Sequence, residues 1–202
     1  MGVAPNWIIG KVRNASRSWA VGSDDSPWTL NLRLDENSGA ANTSQSKNQW
    51  YETAPTSTKF YVGDGDVGDY SGDTNVNGEN YVAYCFSSVE GYSKAGSYAP
   101  NGSPDGNFIF LGFAPAFFLI KNTHTTRNWL IFDNKRNTSN ERTINLKPNT
   151  SGADNTDGNL KCDFLSNGVK LRGIGGSMNT GDGVNYIYLA FAESPFKNSR
   201  AR

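Results

Sequence analysis

The sequence predicts an all-β protein, and three features of its 202 residues carry that prediction. Glycine (22 residues) and proline (8 residues) are abundant, so turns are frequent and long helices are disfavoured. No window of about eleven residues shows the apolar spacing of an amphipathic helix. Short apolar or alternating runs recur instead, bounded by Gly, Asn, Ser and Asp, which is typical of β-strands.

Residues 112–133 predict a β-hairpin. Apolar runs at 117–120 and 129–132 are rich in aromatic and β-branched residues, and a polar turn of Asn, Thr and His separates them. Residues 2–21 carry the same pattern, so we expect a related hairpin near the N-terminus. Six identities share an offset of 110 (112 − 2): Gly2/Gly112, Ala4/Ala114, Pro5/Pro115, Lys11/Lys121, Arg17/Arg127 and Trp19/Trp129.

A second match links residues 78–86 to residues 183–191, at an offset of 105 (183 − 78). A unit of this length exceeds the roughly 20–50 residues of a solenoid repeat and matches a whole small domain. We therefore expect two tandem antiparallel β-sandwich modules, jelly-roll-like, from an internal duplication. The modules are residues 1–90, an N-terminally shortened copy, and residues 91–202.

Strands are predicted wherever short apolar or alternating runs are bounded by turn residues. In the first module they fall at 6–12, 18–21, 28–34, 59–62 and 81–86. In the second they fall at 107–112, 117–121, 129–133, 142–146, 169–172 and 186–191. Residues 63–79 are predicted to be a long loop outside the core. Residues 89–106 are predicted to form an ordered connection in which Tyr92 and Tyr98 pack, rather than a flexible linker.

Charge and hydropathy exclude several classes of partner. Lys+Arg and Asp+Glu both number 19, so the basic excess of a nucleic-acid binder is missing, and no nucleic acid is expected. No run approaches the ~18 apolar residues of a membrane span, and no signal peptide is evident, so no membrane insertion is expected. Cys85 and Cys162 do not match between copies, and we predict two buried free thiols rather than a disulfide.

Few residues suit catalysis or metal binding. His124 is the only histidine and falls in a predicted exposed turn, so a histidine-assisted nucleophile and a zinc site are disfavoured. Four carboxylates in one glycine-rich loop have the chemistry that calcium prefers, but their spacing is not that of an EF-hand. The loop is a candidate calcium site or a solvated loop; its carboxylates are Asp64, Asp66, Asp69 and Asp73.

The aromatic residues are the better indication of function. Exposed aromatic rings beside Asn, Asp and Gln are typical of surfaces that bind sugars. Trp28, Trp50 and Tyr51 have no counterpart in the second copy, and we predict that they contact a ligand or a protein. Trp19 and Trp129 recur in equivalent strands, which indicates core packing. The retained lysines and arginines of the two hairpins are predicted to hold the turns by pairing with a carboxylate.

Several segments together resemble a known phage repeat. They are Gly-Phe-Ala-Pro-Ala-Phe-Phe-Leu-Ile-Lys (112–121), Asn128-Trp129, residues 164–171, residues 185–196 and Tyr-Val-Ala-Tyr-Cys-Phe (81–86). This pattern resembles a repeat of uncharacterised function in virion and tail-fibre proteins of bacteriophages, many of them marine. The resemblance covers nearly the whole chain and transfers no catalytic or binding residue.

The resemblance implies a non-enzymatic virion protein, in the tail or on the capsid surface. It favours a tail-fibre or tail-associated part that binds a host-surface glycan or protein, or other virion proteins. It also implies a homo-oligomer, with a trimer favoured. The residues themselves predict no cofactor other than the candidate calcium. Two alternatives stay open: a capsid or tail decoration protein without a host ligand, and a glycan-degrading tail enzyme that uses paired carboxylates.

Overall fold

The computed structural model describes residues 2–181 and 183–195. It confirms an all-β protein, with 34% strand, 4% helix and antiparallel sheets. The chain divides into two compact units, residues 1–87 (unit 1) and residues 88–202 (unit 2). No helix in the described ranges is long and apolar enough to cross a membrane.

Unit 1 contains a five-stranded antiparallel sheet with the order β4-β3-β2-β1-β5. β1 lies between β2 and β5, and a short helix precedes β5 in the chain. Trp28 and Trp50 pack with Ile8 and Ala20 in a buried cluster. The elements are β1 (Trp7–Val12), β2 (Ala20–Ser23), β3 (Leu30–Arg33), β4 (Ala41–Asn42), a 3-10 turn (Gln45–Lys47), α1 (Gly72–Asn75) and β5 (Tyr81–Phe86).

Two predictions for unit 1 are wrong. Residues 59–62 pair with no strand of the sheet and form none themselves; the ring of Phe60 packs edge-on against that of Trp50, with the ring centres 6.3 Å apart. Residues 63–79 are not outside the fold, since they contain α1, and Asp73 and Thr74 are buried there. Gly63 lets this segment lie close to Asn48, because a Cβ on Gly63 would lie 2.3 Å from the main-chain oxygen of Asn48.

Unit 2 contains three antiparallel sheets, with the orders β6-β14-β8-β9, β12-β13-β7 and β10-β11. The predicted hairpin is confirmed, since β8 pairs with β9, and His124 lies exposed in the turn between them. The predicted ordered connection is also confirmed by β6. The strands are β6 (Ser93–Tyr98), β7 (Phe108–Phe110), β8 (Pro115–Asn122), β9 (Leu130–Asp133), β10 (Ile144–Asn145), β11 (Asn155–Thr156), β12 (Cys162–Leu165), β13 (Gly168–Leu171) and β14 (Tyr186–Ala192).

The core of unit 2 is shared by its two larger sheets. Phe118 and Tyr188 come from the four-stranded sheet, and Cys162 and Val169 come from the three-stranded sheet. Cys162 is a buried free thiol, as predicted. The same prediction is wrong for Cys85, which is a free but exposed thiol because β5 lies at the edge of its sheet.

The two hairpins hold their turns by the same contact. Lys11 Nζ donates to the main-chain oxygen of Arg17 at 2.8 Å, and Lys121 Nζ donates to that of Arg127 at 2.7 Å. In both turns a main-chain carbonyl, and not the predicted carboxylate, accepts this hydrogen bond. The predicted carboxylate partner is correct for Arg17, which pairs with Glu79 at 2.8 Å.

Candidate functional site

An open cleft of about 1120 Å³ lies in unit 2. β6, the end of β7 and residues 111–114 form part of its wall, together with residues 88–91. Four serines line it, at positions 88, 93, 166 and 194, with one carboxylate, one ammonium group and the ring of Phe110. Strand β6 and the adjoining loops thus both supply polar groups to the wall.

Side chains alternate between the two sides of β7, and Phe110 lies on the side that lines the cleft. Ile109 is 5% exposed, whereas Phe108 and Phe110 on the opposite side of the strand are 44% and 58% exposed. Gly112, at φ 85°, lets the chain turn sharply just beyond the strand. The apolar face of an aromatic ring is therefore available to a ligand.

Lys94 places a positive charge beside that ring. Its Nζ donates to the main-chain oxygen of Phe110 at 2.8 Å and lies 5.4 Å from the centre of the Phe110 ring. An ammonium group has three N–H donors, so donors remain for a ligand after this bond. Glu90 supplies a carboxylate to the wall of the cleft.

This arrangement suits the binding of a polyhydroxylated molecule. An exposed ring gives an apolar face, while hydroxyl, ammonium and carboxylate groups exchange hydrogen bonds with ligand hydroxyls. Glycoside hydrolysis, by contrast, generally uses two carboxylates roughly 5–9.5 Å apart. Within the described part of the chain, the residues that line the cleft include one carboxylate and no histidine or cysteine.

The structure places two of the three predicted contact aromatics in the core of unit 1. Trp28 and Trp50 are 7% and 1% exposed, with their rings edge-on at 5.9 Å, so the surface position expected for them is wrong. Trp28 Nε1 donates to Asp24 at 3.0 Å. Only Tyr51 is exposed, at 39%, and it is held in the left-handed region at φ 54°. A ligand contact at Tyr51 stays a prediction.

The four carboxylates of the predicted calcium loop have separate partners. Asp69 is 2.8 Å from Lys47 Nζ, Asp73 is 2.7 Å from Arg33 Nε, and Asp64 accepts from Ser71 Oγ at 2.9 Å. The Ser71 hydrogen bond lowers the pKa of Asp64. Asp66 instead accepts from a main-chain N–H two residues on.

No group of three or more His, Cys, Asp or Glu side chains is placed to hold a metal within residues 2–181 and 183–195. The structure thus does not bring the four carboxylates together. Calcium would have to draw Asp69 and Asp73 away from their cationic partners before they could join Asp64. Calcium binding by this loop stays a prediction, to be checked by calorimetric titration.

The sequence did not predict the residues that line the cleft in unit 2. Residues 107–112 suggested only a strand, although the order Phe-Ile-Phe at 108–110 indicates two rings on one side of it. Lys94 lies in the connection 89–106, whose composition gives no indication of a site. Its approach to Phe110 depends on how β6 and β7 are placed in the folded unit.

These features define an all-β protein of antiparallel sheets that carries an open aromatic and polar cleft. The chain belongs to the family described as a domain of unknown function (DUF7483), whose model matches residues 1–195. No curated protein and no solved structure matches the chain.

Proposed function

We propose that this protein is a non-enzymatic structural component of a bacteriophage virion whose unit 2 cleft binds a carbohydrate of the host surface. The observation that carries the binding function is the exposed ring of Phe110 beside the ammonium group of Lys94. The resemblance of the sequence to repeats of phage virion and tail-fibre proteins supports the virion assignment. A tail-fibre or tail-associated position fits a host-binding role.

The polar groups around the ring support binding without turnover. Pyranose rings stack their C–H faces on aromatic side chains, and Phe110 offers such a face at 58% exposure. Serine hydroxyls and Lys94 can then fix the orientation of the sugar. Because one carboxylate lines the cleft, the paired acid and base of a glycosidase are not supplied by these residues.

We also propose that the two units descend from one β-sandwich module by duplication. The support is the repetition of a specific contact, the lysine-to-carbonyl bond across the hairpin turn, at 2.8 Å in unit 1 and 2.7 Å in unit 2. The shared core of the two larger sheets of unit 2 supports a sandwich in that unit. Duplication is consistent with a part that assembles with other virion proteins and with further copies of itself. The trimer favoured by the resemblance would be an assembly of this kind.

Binding to an array of bacterial surface glycans tests the carbohydrate function. We expect the purified chain to bind a subset of glycans, and Phe110→Ala to weaken that binding about tenfold, or ~1.4 kcal/mol. Phe108→Ala is the matched control, because Phe108 is an exposed phenylalanine of the same strand that does not line the cleft. We expect it to bind as the unchanged chain does.

Three results would contradict the proposal. Equal binding by the Phe110→Ala chain and the unchanged chain would remove the cleft as the site. The absence of binding to every glycan by a folded chain would favour a decoration protein without a host ligand. Release of reducing sugar from a bound glycan would instead identify an enzyme.

A further inference from the structure

The outer side of β5 is open in unit 1. β5 ends the order β4-β3-β2-β1-β5, and no strand in residues 2–181 and 183–195 pairs with it on the side away from β1. Ala83, Tyr84 and Cys85 in the middle of the strand are exposed, Tyr84 at 48%.

The register shows which main-chain groups of β5 point outward. Arg13 N donates to Asn80 O at 2.7 Å, and the register places Lys11 opposite Val82 and Ile9 opposite Tyr84. Hydrogen-bonded residues alternate along an antiparallel pair, so Asn80, Val82 and Tyr84 bond to β1. The N–H and C=O groups of Tyr81, Ala83 and Cys85 therefore point away from β1.

Unit 2 shows the same edge closed by a strand. β14, the counterpart of β5, pairs with β8 on one side and with β6 on the other, both antiparallel. The residues equivalent to Tyr81, Ala83 and Cys85 pair with β6 as Tyr186↔Tyr98, Tyr188↔Gly96 and Ala190↔Lys94. An antiparallel strand is thus the natural occupant of the open edge in unit 1.

The chemistry of this edge favours pairing. Soluble proteins usually protect an edge strand with charged residues or proline, but Tyr-Val-Ala-Tyr-Cys-Phe at 81–86 contains neither. A largely apolar pocket of about 210 Å³ lies beside the strand, lined in part by Trp50, Phe60 and Ala83. An added strand would pair the outward-pointing main-chain groups of this edge.

We propose that the occupant is β5 of a second copy, in an antiparallel pair centred on Ala83. In this register Ala83 faces Ala83, and Tyr81 of each copy faces Cys85 of the other. Every outward-pointing residue then meets an outward-pointing residue, which gives about six main-chain hydrogen bonds across a two-fold axis. The proposal extends the self-association included in the proposed function to a specific contact.

Charge and side-chain size favour a second copy. Glu79, the nearest charged residue before the strand, would face Ser87 of the other copy and not a second carboxylate. In unit 2 the closing strand needs Gly96, because a Cβ there would lie 2.5 Å from Tyr188 Oη. Ala83 takes the place of that tyrosine in unit 1, so the facing position accommodates another alanine.

Sedimentation equilibrium of the full chain tests the contact through its mass. We expect association that Ala83→Lys weakens by more than about tenfold, since two lysines would face each other on the axis and edge lysines block strand pairing. Ala153→Lys, in an exposed loop of unit 2, is the matched control and should leave the mass unchanged. If a three-fold contact also exists, Ala83→Lys should convert a hexamer to a trimer, again halving the mass.

Disulfide formation tests the register. In a Cys85→Ser background, Ala83→Cys places two thiols on residues whose Cα atoms are about 5.5 Å apart, within the disulfide range, and Ala153→Cys is the control. We expect rapid covalent dimerisation of the first variant alone. A mass that Ala83→Lys leaves unchanged, or a cross-link of Ala83→Cys only to an added peptide that has the sequence of β6 with Gly96→Cys, would overturn the proposal. Either result leaves the glycan-binding test unaffected, since the cleft residues are intact.

Discussion

Lys121 is a basic residue with no exposed surface in the core hairpin of unit 2. Its Nζ donates to the main-chain oxygen of Arg127 at 2.7 Å and lies 6.0 Å from the centre of the Trp129 ring. Burial favours the uncharged amine, and it lowers the pKa of Lys121 from 10.5 to about 8. The hairpin thus contains a group whose charge opposes folding at neutral pH.

We predict that Lys121 makes the chain more stable in mild alkali. Between pH 8 and pH 10.5 the unfolded chain binds more protons at this residue than the folded chain does. The free energy of unfolding therefore rises with pH across that window, by about 3 kcal/mol from this residue. Below pH 8 the amine is protonated in both states, and its contribution no longer changes.

Urea unfolding of the unchanged chain and of Lys121→Met, at pH 7.5 and pH 10, measures this contribution as a difference. The subtraction is necessary because burial raises the pKa values of Tyr98 and Cys162, and these groups oppose the trend. Lys11→Met removes the equivalent bond in unit 1 and is the matched control. A difference between Lys121→Met and the unchanged chain that does not vary with pH would contradict the prediction.

At the scale of elements, β2 depends on a glycine for its approach to two indole rings. A Cβ on Gly22 would lie 2.3 Å from the Trp28 ring and 2.8 Å from the Trp50 ring. Both rings are rigid and buried, so neither can move without disturbing the core of unit 1. We predict that Gly22→Ala lowers the free energy of unfolding of unit 1 by about 2–3 kcal/mol.

Gly10→Ala is the matched control for this prediction. Gly10 lies on the adjacent strand β1, and a Cβ there would be 3.5 Å from the same Trp50 ring, an ordinary contact. We expect this change to be neutral or to stabilise by about 0.5 kcal/mol through the lower entropy of the unfolded chain. Equal unfolding midpoints for the two variants in urea would show that the rings move freely.

The strands differ in how well their sequences predict them. β8 and β9 were predicted because aromatic and β-branched residues dominate both strands and polar residues fill the turn. β6 contains Ser-Lys-Ala-Gly-Ser at 93–97, which has little β-propensity, and its pairing with β14 stabilises it instead. Residues 59–62 have the apolar composition of a strand but only dock one ring on Trp50. Tertiary contacts decide both cases.

The candidate cleft was less predictable than the strands. Its main groups, Phe110 and Lys94, are 16 residues apart, and the sequence does not indicate that β6 and β7 bring them together. Trp50 shows the opposite error, since its neighbours Gln49 and Tyr51 suggested a surface position. Gln49 is itself buried, where its side chain donates to Asp73 at 3.0 Å, so a polar neighbour did not mean exposure.

At the scale of the whole molecule, each unit has a hydrophobic cluster of its own. The cluster of unit 2 draws its buried members from Tyr98 to Ala190, and the cluster of unit 1 draws its members from Ile8 to Trp50. Among the residues that the structure describes, those that line the cleft run from Ser88 to Ser194, within unit 2. Stability and ligand binding in unit 2 should therefore not require unit 1.

We predict that a fragment of residues 88–202 folds alone and unfolds cooperatively in urea, because it keeps its whole described core. It should show the pH dependence of Lys121 and bind the same glycans as the full chain, while Gly22→Ala in the full chain should shift only the transition absent from the fragment. Near-ultraviolet circular dichroism measures whether the fragment is folded, and urea titration measures the pH dependence and the shifted transition. The glycan array measures the binding. A fragment without fixed tertiary signals would mean that unit 2 depends on residues 1–87 for its fold, and the two units would then be one cooperative structure.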